Sequence, residues 1–102
     1  MQTNNETNKI EDNVFIERML EYNPKAQYPT GMEDAIVGIC DNSFEGHPHR
    51  FVVSFSKGIE ILKEQQFEDY DDPYEAAVEW WYYNVAGSWV GVNGPIYVYD
   101  EE

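Results

Sequence analysis

Two histidines in the segment His47-Pro48-His49 are the first candidates for chemistry, because histidines at i and i+2 on a strand can share a metal ion. Cys40, Asp41 and Glu45 lie close to them in the sequence and would be further ligands. The proline between the histidines indicates a loop, however, and no second ligand pair occurs elsewhere in the chain. The segment therefore predicts an exposed loop and no metal site.

Other residue types that support catalysis occur without the pattern that catalysis needs. Cys40 lies among apolar and acidic residues, which disfavour a reactive thiolate, and we expect it to be a small buried residue. The adjacent pairs Glu33-Asp34 and Asp71-Asp72 would need a shared cleft for acid–base work, which neighbouring side chains seldom enter together. The chain also lacks G-x-x-x-x-G-K-S/T, G-x-G-x-x-G, H-E-x-x-H and G-x-S-x-G. The sequence thus predicts a protein that is not an enzyme and that holds no cofactor.

Negative charge is the strongest signal in the sequence. Twenty Asp and Glu face six Lys and Arg, which gives a formal net charge of −14. No Lys or Arg follows Lys63, so the last 39 residues carry only negative formal side-chain charge. Acids are concentrated around the start of a predicted aromatic helix, in what we call the acidic group: Glu68, Asp69, Asp71, Asp72, Glu75 and Glu79.

This charge admits two interpretations. A strongly negative field repels nucleic acid and anionic membrane surfaces, so neither is an expected partner, and a basic protein surface is. In the first interpretation the acid serves only solubility or life at high salt. In the second, the acidic group together with Tyr70 and Tyr82 forms a partner-binding surface that imitates nucleic acid, with carboxylates opposite Lys and Arg and aromatic rings that supply contact area.

Length and composition predict one folded domain. A chain of 102 residues with 42% hydrophobic and 16% aromatic residues has enough apolar side chains for one core, despite its charge. The polar residues 1–12 are expected to be a flexible tail before a single domain over residues 13–102. A lone cysteine precludes an internal disulfide, and no apolar run approaches the length of about 18 residues that a membrane span needs. We therefore expect a soluble, cytoplasmic protein.

Three helices are predicted from their capping signals and apolar spacing. Asn13 is expected to cap a helix that starts at Val14 and stops at Asn23, before a proline. Ser56 is expected to cap a helix over residues 57–66, which Gly58 weakens. Asp72, Pro73 and Glu75 mark the start of a third helix, with Gly87 as its stop. Its core stripe is predicted to comprise Tyr74, Ala77, Val78, Trp81 and Val85, and Asn84 is expected to be a buried amide bonded to nearby backbone.

Strand patterns complete the predicted fold. The apolar run Ala35–Cys40 predicts an inner strand, paired antiparallel with Arg50–Phe55. Residues 88–92 and 95–99 on either side of Asn93-Gly94 predict a hairpin, in which Pro95 begins its strand or lies at an edge. The fold class is therefore α+β, with a small, mainly antiparallel sheet of three to four strands packed with two to three helices.

Two segments of the chain are GMEDAIVGI (31–39) and EAAVEWWYYNVAGSWVGVNGPIYV (75–98). Together they resemble a family of short bacteriophage proteins that has no assigned activity, and the resemblance spans residues 31–98. The matching positions are Gly31, Asp34, Ile36, Gly38, Ala77, Glu79, Asn84, Gly87, Gly91 and Pro95. Met32-Glu33, Tyr82 and the long loop 41–49 depart from the family pattern. The resemblance implies a phage or prophage source, a shared fold and, by analogy, a role against host machinery.

Two functions remain open on the sequence alone. The first is a non-enzymatic phage-type inhibitor in the host cytoplasm that occludes the nucleic-acid site of a basic host protein, such as a CRISPR effector or a restriction enzyme. The second is a small phage accessory protein that self-associates or scaffolds through an aromatic face. Five aromatic residues exceed the capacity of one small core, and some of them are expected to be partly exposed and available to either function: Trp80, Tyr82, Tyr83, Tyr97 and Tyr99.

Overall fold

The computed structural model describes residues 13–87 and 91–100, and the predicted tail lies outside them. The helices are α1 (Val14–Tyr22), α2 (Phe55–Gln65) and α3 (Pro73–Trp81), and a π-helical turn (Tyr82–Ala86) continues α3. The strands are β1 (Ile36–Cys40), β2 (Arg50–Ser54) and β3 (Ile96–Val98). Short 3-10 turns occupy Glu33–Ala35, Ser43–Glu45 and Gly91–Asn93. Within the described residues, three helices and a mostly antiparallel three-stranded sheet confirm the predicted α+β class.

Strand β2 is central in the sheet, whose order is β1-β2-β3. β1 and β2 pair antiparallel, as predicted, from Ile36 opposite Val53 to Cys40 opposite Arg50. The prediction that β1 is an inner strand is wrong, because it lies at one edge of the sheet. An apolar run predicts that side chains are buried, but it does not predict whether one or two neighbouring strands pair with the backbone.

The predicted hairpin around Asn93-Gly94 is also wrong. β3 pairs parallel to β2, with Val52 opposite Ile96, and Gly91–Asn93 form a 3-10 turn, while residues 88–90 lie outside the described residues. A two-residue turn joins only antiparallel neighbours, whereas parallel strands need a long crossover, which α2 and α3 provide here. The strand starts directly after Pro95 at the other edge of the sheet, as predicted.

The start of α2 is capped by Ser54, not by Ser56 as predicted. The Ser54 hydroxyl accepts a hydrogen bond from the Lys57 N–H (3.1 Å) and donates one to Asp100 Oδ2 (2.5 Å). Asp100 Oδ1 accepts a hydrogen bond from the Ser56 N–H at 3.0 Å. The carboxylate that completes this cap therefore comes from the residues after β3, which ties the chain beyond the sheet to the first turn of α2.

The other two helix starts confirm their predictions. Asn13 Oδ1 accepts a hydrogen bond from the Phe15 N–H at 3.0 Å, and Asp72 Oδ1 accepts one from the Glu75 N–H at 3.1 Å. Pro73 occupies the first turn of α3, where its missing N–H has no intrahelical partner to lose. Within the predicted α3 stripe Ala77, Trp81 and Val85 are buried, whereas Tyr74 is 49% exposed and does not belong to the core.

Among the described residues, Trp81 is the largest fully buried side chain, and it joins α3 to the rest of the core. Its ring meets Phe55 edge-on at 5.7 Å and Tyr97 edge-on at 5.5 Å between centroids. On α2 it lies against Gly58, where an ideal Cβ would fall 2.2 Å from Trp81 Cζ3. Gly58 thus lowers the intrinsic helix propensity of α2 but permits the close approach of the indole ring.

We predict that Gly58→Ala destabilises the fold by about 2 kcal/mol or more, although alanine is the better helix former, because overpacking against a buried ring outweighs the gain in propensity. The free energy of unfolding in urea measures the effect. Gly38→Ala is the matched control, since a Cβ there meets nothing within 4 Å and should change stability by less than about 1 kcal/mol. Equal unfolding midpoints for the two variants would contradict the packing described above.

We predict that Asp100→Asn lowers stability at neutral pH by about 1 kcal/mol, through loss of the charged partner at the α2 cap. Hydrogen bonds from the Ser54 hydroxyl and the Ser56 N–H hold the pKa of Asp100 below its ordinary value. Its ionised form therefore stabilises the fold above the unfolded pKa of about 3.9, and this contribution is lost as the pH falls through the folded value. Urea unfolding of both proteins should show a difference that shrinks below pH 4; a difference that grows on acidification would refute the role of this carboxylate.

Candidate functional site

The acidic group lies along the connection from α2 to α3 and the exposed side of α3. Glu68, Asp69 and Asp71 belong to the connection, Asp72 caps α3, and the two glutamates of the group lie on that helix. All six side chains are exposed. The buried Phe67 anchors the connection, because its N–H donates to the Leu62 carbonyl at 3.3 Å and its own carbonyl accepts from the Tyr70 N–H at 3.1 Å. The acidic side chains of the connection therefore lie on a segment that the buried Phe67 holds against the core.

No basic side chain neutralises this charge within residues 13–87 and 91–100. Ion pairs in that part of the chain join His49 to Asp41 (3.5 Å) and Lys63 to Glu60 (3.2 Å), and none includes a member of the acidic group. Such uncompensated charges on one surface create a negative potential that extends into solvent over about a Debye length. The surface is suited electrostatically to a positively charged partner.

Beside the acidic group lies an open groove of about 720 Å³, which we call the aromatic groove. It brings together three of the residues predicted for the site, Tyr70, Glu79 and Tyr82. Its other lining residues are Phe67, Ala76, Val78, Trp80, Tyr83 and Asn84. Glu68, Asp69, Asp71, Asp72 and Glu75 do not line it. Asp69 and Asp71 are nevertheless the chain neighbours of Tyr70, so their Cα atoms lie about 3.8 Å from that of a lining residue.

The rings of the groove are held by other aromatic residues. Tyr70 packs edge-on against Phe67 at 4.9 Å between centroids, and Tyr82 stacks on Tyr99 at 6.2 Å with 20° between the ring planes. Tyr83 is 87% exposed and Tyr82 is 48% exposed, whereas Trp80 is half-buried against the core. The prediction that some of the surplus aromatic residues reach the surface is therefore confirmed.

A π-helical turn follows α3 and contains the last aromatic residues of the groove. The turn covers Tyr82–Ala86, and the hydroxyl of Tyr97 on β3 donates to the Val85 carbonyl at 3.4 Å. The helical segment ends at Gly87, as predicted, and its φ of −79° is one that any residue adopts. Glycine is needed for space instead, because an ideal Cβ would lie 2.8 Å from the Tyr82 carbonyl oxygen. Turns of this type interrupt α-helices rarely and often do so at functional sites.

Asn84 lies in this turn and bonds to backbone, as predicted. Its Nδ2 donates to the Trp80 carbonyl at 3.2 Å, but the residue is exposed and the expectation of burial is wrong. Its amide stabilises the link between α3 and the π-helical turn at the wall of the groove.

Sequence reasoning omitted three aromatic residues of the groove from the site: Phe67, Trp80 and Tyr83. A second stripe on α3 would have revealed two of them, because Ala76, Trp80 and Tyr83 follow one another at spacings of four and three. Phe67 was hidden by its position in an acidic connection with no periodic pattern.

The histidine segment is a loop, but only part of it faces solvent. His47 is exposed, whereas His49 stacks on Tyr22 with 4.6 Å between centroids and 7° between planes. The side-chain and backbone hydrogen bonds from Ser43, with a smaller contribution from His49, lower the pKa of Asp41. Cys40 is half-buried and not fully buried as expected.

Within the described residues no group of three His, Cys, Asp or Glu is placed to hold a metal ion. No helix of that part of the chain is both long and apolar enough to cross a membrane.

The chain matches no protein-family model, no curated protein and no solved structure. Its own surface, with the acidic group beside the aromatic groove, is therefore the basis for a functional interpretation.

Proposed function

We propose that the protein is a non-enzymatic inhibitor, of the kind that bacteriophages encode, which blocks the nucleic-acid site of a basic host protein. CRISPR effectors, restriction enzymes and other DNA-binding enzymes of the host cytoplasm are the target class. The observation that carries the proposal is an exposed acidic group with no ion-pair partner among the described residues, next to a groove lined by aromatic side chains.

Charge complementarity supports this choice of partner. Proteins that bind nucleic acid hold its phosphates with Lys and Arg, and the same side chains attract carboxylates. A net charge of −14 also accelerates encounter with a basic surface, while it repels nucleic acid itself. Direct nucleic-acid binding therefore has no part in the proposal, and the protein competes with nucleic acid for a shared partner.

Aromatic side chains supply what charge alone does not. Ion pairs at an exposed rim contribute mainly to association rate and specificity, whereas most binding energy comes from a few buried anchors, often Trp, Tyr and Arg. The aromatic groove provides such anchors within the same surface: Tyr82 and Tyr83 are exposed, and Trp80 is half-buried. Acidic group and groove together form one interface of mixed charge and apolar area.

The exposure of the groove also favours a second function, self-association of a small phage accessory protein. An exposed aromatic groove is a common feature of protein–protein contacts, and two copies could cover each other's rings. Such a contact would bring together two chains that each carry a net charge of −14. Salt therefore discriminates the two functions, because screening strengthens contact between like charges and weakens binding to a basic partner.

We predict that the triple variant Glu68→Lys, Asp69→Lys and Asp71→Lys loses about 100-fold in affinity for a basic partner, because each change replaces attraction by repulsion. Asp72 is left unchanged since it caps α3. The triple variant Glu17→Lys, Glu21→Lys and Glu45→Lys is the control, as it alters the net charge equally at exposed positions outside the acidic group. A partner is captured from host lysate, purified and titrated with each protein by fluorescence anisotropy.

The same assay tests the mode of action. Added DNA should displace the protein from its partner, the protein should inhibit the partner's nucleic-acid binding, and affinity should fall steeply as salt is raised. Equal affinity of both triple variants, or binding that is insensitive to salt and DNA, would refute nucleic-acid mimicry. Dimerisation of the protein that salt strengthens, with no basic partner, would establish the self-association function instead.

A further inference from the structure

We infer that the aromatic groove is a binding site for the guanidinium group of an arginine side chain, which lies against the tyrosine and tryptophan rings and pairs with Glu79. The inference rests on the proposed function for the source of the arginine, which is the basic surface of the partner. It assigns a ligand to the groove, whereas the proposed function concerns the surface as a whole.

The charges of the groove select a cation. Among the described residues that line the groove, Glu79 is the one charged side chain, and none of them is Lys, Arg or His. Faces of aromatic rings carry the negative part of their quadrupole and attract cations within about 6 Å of the ring centroid. Five aromatic side chains among the described residues contribute to the lining: Phe67, Tyr70, Trp80, Tyr82 and Tyr83. A carboxylate among aromatic rings disfavours an anion and leaves a purely apolar occupant with an unpaired charge beside it.

An open groove lined by aromatic rings favours guanidinium over ammonium. Guanidinium is planar and weakly hydrated, so it stacks on a ring without losing a tightly held water shell. Its N–H groups also point outward in the plane, where they reach a carboxylate such as Glu79 in a bidentate pair while the faces remain on the rings. A lysine ammonium is a compact and strongly hydrated charge, for which an open groove offers less compensation. An arginine at the centre of the interface therefore matches the groove best.

The direct test uses the full-length protein and a small probe, so that no host partner is required. ¹H–¹⁵N NMR spectra are recorded during titration with N-acetyl-arginine amide and, separately, with N-acetyl-citrulline amide, a neutral analogue of nearly the same shape. We expect the arginine probe to shift the amide signals of Glu79–Tyr83 and the indole signal of Trp80, with saturation at millimolar concentration. The citrulline probe should bind about tenfold more weakly, as expected for loss of a cation–π contact and an ion pair.

Matched variants locate the site. Glu79→Gln and Tyr82→Leu should each weaken arginine binding by about fivefold to tenfold. Glu75→Gln and Tyr74→Leu are the controls on the same helix, outside the groove, and Tyr74 at 49% exposed closely matches Tyr82 at 48%. Thermal unfolding shows whether each variant is folded at the temperature of the titration. A test variant that is not folded is replaced by Tyr83→Leu, because Tyr83 is almost fully exposed.

Three results would overturn the inference. The arginine and citrulline probes bind equally, or the NMR signals that shift belong to residues outside the groove. In the third, N-acetyl-trimethyllysine amide binds more tightly than the arginine probe, which would assign the groove to quaternary ammonium groups. These outcomes are distinct from failure of the proposed function. If the probe does not bind but a basic partner is still inhibited in a salt-dependent way, only the arginine site is wrong. If the probe binds in the groove and no nucleic-acid-binding protein is inhibited, the site stands and the inhibitor function is wrong.

Discussion

The close contact between the Trp81 indole and Gly58 holds α3 against α2, and the exposed surface of the protein depends on it. The indole is fully buried, and its Nε1 has no hydrogen-bond partner among the described residues, so its stabilising effect comes from packing against Gly58, Phe55 and Tyr97. An unpaired buried N–H costs about 1–3 kcal/mol, which burial of a large ring is able to offset. With one face of α3 fixed in this way, its other face and residues 82–84 of the π-helical turn are exposed to solvent, while Val85 of the turn returns to the core.

This arrangement explains how a small chain carries a concentrated negative charge and remains folded. Asp72 and Glu75 lie at the N-terminus of α3, where Asp72 caps the helix and the helix dipole favours negative charge, whereas Glu79 lies exposed in its last turn. Glu68, Asp69 and Asp71 lie in an exposed connection, where water screens their mutual repulsion. Phe67 anchors that connection in the core. Most of the negative charge therefore lies where it destabilises the fold least and where a partner can reach it.

Local signals in the sequence predicted local structure well. Asn13 and Asp72 cap their helices as expected because a cap depends on residues two or three positions away. Predictions failed where the decisive partner is distant in the chain. Asn93 was expected to form a tight turn, but its side chain accepts a hydrogen bond from Asn23, 70 residues earlier, and Ser54 caps α2 with the help of Asp100. The exposed acids followed from composition and spacing, whereas the groove required the tertiary placement of Phe67 and the π-helical turn.

Hydrogen exchange of the protein in complex with its captured partner shows whether the acidic group and the aromatic groove bind that partner, since it reports which backbone amides the partner covers. We expect slower exchange on binding over residues 67–87, which include the acidic group and the aromatic groove, and unchanged exchange in β1 (Ile36–Cys40) at the edge of the sheet. Protection confined to β1, or to any surface that leaves residues 67–87 unchanged, would contradict the claim that this acidic and aromatic surface binds the partner.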